Sequence, residues 1–544
     1  MNKLTITLLF TGFFMSGNGQ VIEQAKTNIY YHRFTSAKNE LRQAINSGQQ
    51  DPDAWYWLGE IYLSENKPDS AKQVFLDGMA LVQKRNYSSE EHPLLFIGNA
   101  HLLLYSGHAT AARSQMEEIA KNTKYKDPEA LTAMAKAIIS SKEGDIPWAI
   151  ELLEKAARRD KKNPAIYLAI GDAYHKQVNG SQAVINYDKA LELNPQYAEA
   201  YYKKGLIYKT QKNTEVYTGE FTKAVEADST YAPALYELYY HYFYRDIARA
   251  GELLTAYIRH SDPSLEHKYM LADYQYITKK YEEAISNANY IINLQKKEAK
   301  PRLYKLIAYS QAALGDSTQA EKSMQVYFTR QKTEEFISKD YELMAFLTEA
   351  VNPDKAAAIP WYRKAIALEK DTKSKLGYMQ TVADIQKTVG NREREAVWRE
   401  RIYNTKEQPS NLDIYNWGVA LYMAADYTRA DSVFGIYSDK YPDQVYGPLW
   451  QARCNSIIDS TMEQGLAVPY FKKLIDVAST DSVKNKSILL KAYGYLGSYE
   501  ANKTKDYESA LGYFEKMLAL DPENSDAKNY VDTIKKWIES NGQG

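Results

Sequence analysis

The sequence predicts an all-α chain, an α-solenoid superhelix of about 14 helix pairs ended by one capping helix. Three observations carry that prediction. The first is a signature of a small residue, a bulky one at +4 and a small or apolar one at +7, which lines one close-packed face of a helix. It recurs twelve times, at Ala37/Leu41/Ala44, Ala71/Phe75/Gly78, Ala112/Met116/Ile119, Ala149/Leu153/Ala156, Ala183/Tyr187/Ala190 and Tyr217/Phe221/Ala224, then Ala284/Ala288/Ile291, Ala320/Met324/Tyr327, Ala358/Tyr362/Ala365, Ala430/Phe434/Tyr437, Ala467/Phe471/Leu474 and Ala510/Phe514/Met517. The second is its period: the early copies are spaced by 34, 41, 37, 34 and 34 residues, and a fixed period in this range marks a repeat of one supersecondary unit. The third is punctuation. Asp127-Pro128, Asn163-Pro164, Asn194-Pro195, Asp262-Pro263 and Asp521-Pro522 fall between the units, where such dipeptides cap and break helices.

Taken in order, residues 1–19 read as a secretory signal peptide. Met1-Asn2-Lys3 precedes the apolar stretch Leu4–Met15, which is too short to span a bilayer, and Gly17-x-Gly19 offers small residues for cleavage before Gln20. Residues 20–330 form a first array and 331–524 a second, continuous with it. Longer connectors at Gln83–Pro93, Gln331–Phe336 and Tyr403–Asn411 are seams, and degenerate copies near Ala250 and Glu395 fill the two larger gaps. Asn66-Lys67-Pro68-Asp69-Ser70, Gly144-Asp145, Gly315-Asp316 and Ala425-Asp426-Tyr427 turn the chain between helices of one unit. Pro360 and Pro469 recur at one phase and read as first-turn prolines. Residues 525–539, with Ala527, Tyr530, Val531, Ile534, Trp537 and Ile538 on one face, form the capping helix that shields the last unit. The tail 540–544 is expected to be disordered.

Between Pro164 and Pro195 stand Tyr167, Ile170-Gly171, Tyr174, Ala183, Tyr187, Ala190 and Asn194-Pro195. This segment resembles the tetratricopeptide repeat, an aromatic, Leu-Gly, Tyr, Ala, an aromatic, Ala and Pro in that order. The whole chain resembles the exported tetratricopeptide repeat proteins of Gram-negative bacteria. The resemblance implies a concave groove lined by the first helix of each repeat, holding a protein or extended peptide. By position beside the signature residues, the groove-facing side chains are Tyr56 and Glu60, Asp172 and His175, Tyr202 and Lys209, Tyr236, Tyr240 and Phe243, Lys305 and Tyr309, and Tyr415 and Tyr422. Some relatives clamp the terminal carboxylate of heat-shock chaperones with lysine, asparagine and arginine from three consecutive first helices. Here Leu168/Asp172, Tyr202/Leu206 and Tyr236/Tyr240 occupy that face, which argues against this ligand.

Composition narrows the functions further. The 68 basic and 69 acidic side chains cancel to a net −1, so the concentrated positive field of a nucleic-acid binder is missing. No later stretch is apolar and long enough to cross a membrane. Cys454 is the only cysteine; no intramolecular disulfide is possible, and its helical setting reads as a buried structural thiol. The eight histidines are dispersed. His101 and His108 are seven apart, too far along a helix to share one metal. Phosphate-loop, dinucleotide, zincin and nucleophile-elbow motifs do not occur in the mature chain, and the repeats leave little chain for an enzyme domain. The 47 tyrosines against 14 phenylalanines suit contact surfaces, since tyrosine offers apolar area and a polar tip. The expectation is a non-catalytic binding scaffold of the cell envelope, without cofactor or metal, periplasmic or surface-associated. The alternative is a glycan-binding accessory factor in which tyrosines stack on sugar rings and Asp172 or Glu60 accept hydroxyl protons.

Overall fold

The computed structural model describes residues 17–47 and 51–541. Among them stand 29 α-helices, with short 3-10 and π turns and no strand. Twenty-eight pair into fourteen repeats, at residues 17–46, 52–85, 93–122, 128–159, 164–193, 198–227, 232–260, 265–295, 302–330, 338–368, 372–405, 411–440, 446–478 and 486–520, here numbered 1 to 14. The last helix, Ser525–Asn541, caps repeat 14 by burying Val531 and Ile534 against Ala510 and Phe514, and Ala527 on the same helix is fully buried. The helix runs through Ser540 and Asn541, which the sequence had assigned to a disordered tail; the remaining tail residues 542–544 lie outside the described residues. So does most of the expected signal peptide, residues 1–16, while Gly17–Gly19 open the helix Gly17–Tyr30. Among the described residues, no helix is long and apolar enough to cross a membrane.

The signature residues do what their spacing requires. Ala37, Ala71, Ala112, Ala149 and Ala183 are fully buried, and the degenerate copies place Ala250 and the buried Glu395 at the same position. Opposite them the first helix carries glycine. A Cβ on Gly171 would lie 2.3 Å from the Tyr187 ring, and one on Gly205 2.4 Å from the Phe221 ring, so the aromatic of the second helix packs directly on the backbone of the first. Turns inside repeats follow one plan. Val178, Lys212 and Ala425 adopt left-handed φ values of 61°, 57° and 62°, and the next residue, Asn179, Asn213 or Asp426, caps the second helix by accepting a backbone N–H. Asp127 and Asn163 cap the first helices of repeats 4 and 5 just before Pro128 and Pro164. Pro360 and Pro469 stand in the first turns of Ile359–Leu368 and Val468–Ala478. Their missing N–H groups would be unpaired there in any case.

The chain divides into two compact units, one ending at Asn287 and one beginning at Ala288. The division falls inside the helix Tyr281–Gln295. At the connector Gln331–Phe336, Phe336 packs on Phe328 with ring centroids 4.8 Å apart and on Tyr341 at 5.7 Å. Its extra residues are absorbed as a packed aromatic corner.

In the first unit, repeat 1 returns to repeats 6 and 7. The Tyr30 ring stacks on Tyr197 at 6.1 Å and tilts against Tyr231 at 5.3 Å. The Tyr31 hydroxyl donates to Asp228 at 2.8 Å, and Arg33 Nε donates to the His260 carbonyl at 2.8 Å. Asp262 then accepts from the backbone N–H of Thr35 at 2.7 Å and of Ser36 at 3.2 Å, and from the Ser36 hydroxyl at 2.6 Å. The helix Phe34–Asn46, whose own N-cap Arg33 makes no side-chain cap bond, is thus capped from a loop over two hundred residues away. The first unit closes on itself.

Candidate functional site

Each unit carries a cavity built by consecutive first helices. In the first unit a space of about 460 Å³ lies between Tyr56, Trp57 and Glu60 of repeat 2, Leu94 of repeat 3, Pro128, Glu129, Thr132, Ala133 and Lys136 of repeat 4, and Asp160, Asn163, Ala165 and Ile166 at the entry to repeat 5. Glu60 and Trp57 share a face with Tyr56 by helical spacing. The two Glu60 oxygens lie 2.9 and 3.0 Å from His101 Nδ1, and His101 Nε2 lies 2.9 Å from the Ser140 hydroxyl. The trio resembles a nucleophile, a base and an orienting acid. Its setting opposes that chemistry. Ser140 ends the helix Pro128–Ser140 and its hydroxyl donates to the Ala137 carbonyl at 3.0 Å; a helix C-terminus repels a developing oxyanion instead of stabilising it. The trio is a polar ladder tying three first helices together, with His101 buried at its centre.

Nearby carboxylates make this wall electronegative. Burial, then Asp51 and Glu129, push the Asp53 carboxyl up to about 7, although Lys26 works the other way. Among the described residues, Asp51, Asp53 and His92 place possible ligand atoms within 4.8 Å of one another. Asp51 is already the N-cap of the helix Pro52–Ser64, accepting from the Asp53 N–H at 3.1 Å. The positive end of that helix compensates the carboxylates where a cation would have to sit.

In the second unit a wider space of about 620 Å³ is lined by Tyr309 of repeat 9, by Lys339, Glu342, Leu343 and Phe346 of repeat 10 with Tyr362 behind them, and by Ser374, Gly377, Tyr378 and Thr381 of repeat 11. The repeat 10 residues fall at i, i+3, i+4 and i+7, one stripe of a helix. Phe346 is 56% exposed in the middle of it. Lys339 and Glu342 pair at 2.6 Å, and the Tyr309 hydroxyl donates to the Lys339 carbonyl at 3.0 Å. Gly377 lies mid-helix, and a Cβ there would meet nothing within 4 Å. No packing demand accounts for that glycine, which costs helix stability; what its missing side chain leaves is room in the cavity.

The thirteen groove positions divide accordingly. Tyr56 and Glu60 line the first cavity, Tyr309 the second, and Tyr415 a third space of about 280 Å³ with Leu412 and Tyr446. Asp172 accepts from the Tyr187 hydroxyl at 2.8 Å and pairs with Lys203 at 3.0 Å. Lys209 pairs with Glu237, and Lys305 with the fully buried Asp340. His175 is exposed at the end of its helix. Tyr236 and Tyr240 meet edge-on at 4.8 Å, with the Tyr240 hydroxyl donating to Glu266 at 3.3 Å. Tyr422 packs on Trp450 at 4.9 Å. Two positions depart from the sequence reading. Phe243 is 7% exposed, packed on Tyr239 at 5.5 Å, because its backbone is still helical and places it one turn after the buried Tyr239 on the inward face. Tyr202 faces His32, Tyr231 and Phe221, so the returning repeat 1 covers part of it. The sequence reading left out Trp57, Phe346 and Gly377; Trp57 and Phe346 are one position from a signature face, and an isolated glycine in a helical pattern was the signal that could have found Gly377. Cys454 is fully buried, and burial pushes its thiol up to about 12, as the structural reading expects.

Residues 23–78 match the tetratricopeptide repeat model and residues 181–212 the TPR repeat model. These two stretches are tetratricopeptide repeats, a kind of repeat that suggests protein–protein interaction and is usually non-catalytic. Similar solved structures include the C-terminal part of a TPR repeat-containing protein from Cytophaga hutchinsonii, 25% identical over 49% of this chain and 99% of that one, with a TM-score of 0.31. A tetratricopeptide repeat protein from Parabacteroides merdae is 18% identical over 47% of this chain and 98% of its own, with a TM-score of 0.29. A protective antigen of uropathogenic Escherichia coli with an SLR fold is 16% identical over 77% and 90%, with a TM-score of 0.36. No curated protein matches the chain.

Proposed function

We propose that this protein is a non-catalytic scaffold of the cell envelope that holds an extended segment of another protein along the first helices of its repeats. The observation that carries the reading is the stripe in repeat 10. Phe346 stands exposed beside open space left by Gly377, and an exposed aromatic in a concave apolar site is a natural anchor point for a partner. The amino-terminal Met1-Asn2-Lys3 and the apolar stretch after it support export. A photo-crosslinking amino acid placed at Phe346 in the native host tests both parts. We expect a discrete adduct in the envelope fraction, absent when the probe replaces Val397 on a second helix. Equal labelling from both positions, or a chain that stays entirely with the cytoplasmic contents, would overturn the reading.

A further inference from the structure

The cavity of the first unit has a chemistry unlike that of the second. Three carboxylates, Glu60, Glu129 and Asp160, line it against the single ammonium of Lys136, and Trp57 and Tyr56 add aromatic surface. Carboxylates beside an indole face form a receptor for an organic cation, through Coulomb attraction and the ring quadrupole together. The chain already places one cation against this wall. Lys26, on the helix Gly17–Tyr30, brings its ammonium to 3.3 Å from Glu129 and 2.9 Å from Glu23, and 5.4 Å from the centroid of the Trp57 ring.

We infer that this cavity receives a lysine or arginine side chain of the bound segment, and that Lys26 is a built-in competitor for the same wall. The inference rests on the scaffold reading and adds the chemistry of what is held. Glu129 is the shared group: it is 59% exposed while paired with Lys26, so an incoming ammonium can reach it and displace the internal one. The helix bearing Lys26 is also the one that closes the first unit through Tyr30 and Tyr31. A basic partner therefore competes with a contact next to that closure. Burial works against the charge of Lys26, but Glu23 and Glu129 outweigh it and keep the amine protonated, as a resident cation must be.

The test uses the full-length chain and a fluorescently labelled pentalysine peptide, with pentaglutamate as the control, followed by anisotropy at low ionic strength and at about 0.15 M salt. Lys26→Met keeps the apolar stem and removes the competing charge. We expect it to bind pentalysine about tenfold more tightly than the wild-type chain, because an occupied site weakens apparent affinity by the fraction occupied. Adding Glu129→Gln to Lys26→Met should erase the gain, and pentaglutamate should bind none of the three. Circular dichroism confirms that each variant is folded; Glu129→Gln alone supplies the comparison if Lys26→Met is not, and it should weaken pentalysine binding relative to wild type. Pentalysine binding that is equal in folded variants, or absent from all of them, overturns the inference. Neither result touches the adduct at Phe346, which lies in the other unit, so the two readings fail separately.

Discussion

Asp53 lies in the first turn of the helix Pro52–Ser64, where a negative charge is ordinarily favoured by the helix end. Burial and the Asp51 and Glu129 carboxylates outweigh that benefit and lift its carboxyl from 3.8 to about 7. The folded state therefore holds a proton that the unfolded chain has released between those two values. The associated stability is fully present below the ordinary value and is lost as pH rises through about 7. Asp53→Asn removes the titration. At about pH 8 the variant should be more stable than wild type by on the order of 1 to 3 kcal/mol, with the difference vanishing near pH 4. Hydrogen exchange of repeat 2 across that range measures it. A wild type and variant that change in parallel with pH would show that Asp53 carries an ordinary carboxylate.

At the scale of the helix pair, two glycines in first helices make opposite predictions. The Gly171 Cβ position lies 2.3 Å from the ring of Tyr187, which is fully buried and anchored by its hydroxyl to Asp172. Gly171→Ala should cost about 1 to 3 kcal/mol through overpacking, because the ring has nowhere to go. Gly377→Ala should gain about 0.5 to 1 kcal/mol from helix propensity, since a methyl group there meets only open space. Local opening energies from hydrogen exchange decide it, and equal signs at the two sites would break the argument. The contrast also explains what was legible in the sequence. The contact of Ala183, Tyr187 and Ala190 recurs in type at twelve places along the chain, so spacing alone reveals the helix pairs, the first-turn prolines and the capping helix. Whether an isolated glycine such as Gly377 leaves a cavity depends on which residues face it from the neighbouring repeat, and periodicity along one helix carries no such information. The orientation of Phe243 was lost for a similar reason: it stands three residues after Tyr240 and four after Tyr239, and only the packing of the neighbouring helices decides that it follows the buried Tyr239.

At the scale of the first unit, the closure between repeat 1 and repeats 6 and 7 is a long-range contact in a fold otherwise held by neighbours. Its polar part rests largely on Asp262. From sequence, Asp262-Pro263 is a helix breaker; in the structure its carboxylate also accepts three hydrogen bonds from Thr35 and Ser36. Charge-assisted capping of this kind contributes about 1 to 2 kcal/mol. Asp262→Ala leaves the local turn free to form, yet strips the helix Phe34–Asn46 of the one side chain that caps it, since Arg33 makes no such bond. We expect faster hydrogen exchange in residues 17–46 by about tenfold, the equivalent of about 1.4 kcal/mol, with a smaller rise around Asp228 and Tyr231, which lose their partners Tyr31 and Tyr30. Repeats 9 to 14 should keep their wild-type rates, because each repeat is stabilised mainly by those beside it. A rise spread evenly over all fourteen repeats would mean that the array opens as one cooperative body. Unchanged rates in residues 17–46 would mean that the aromatic contacts of Tyr30 hold the closure without the carboxylate.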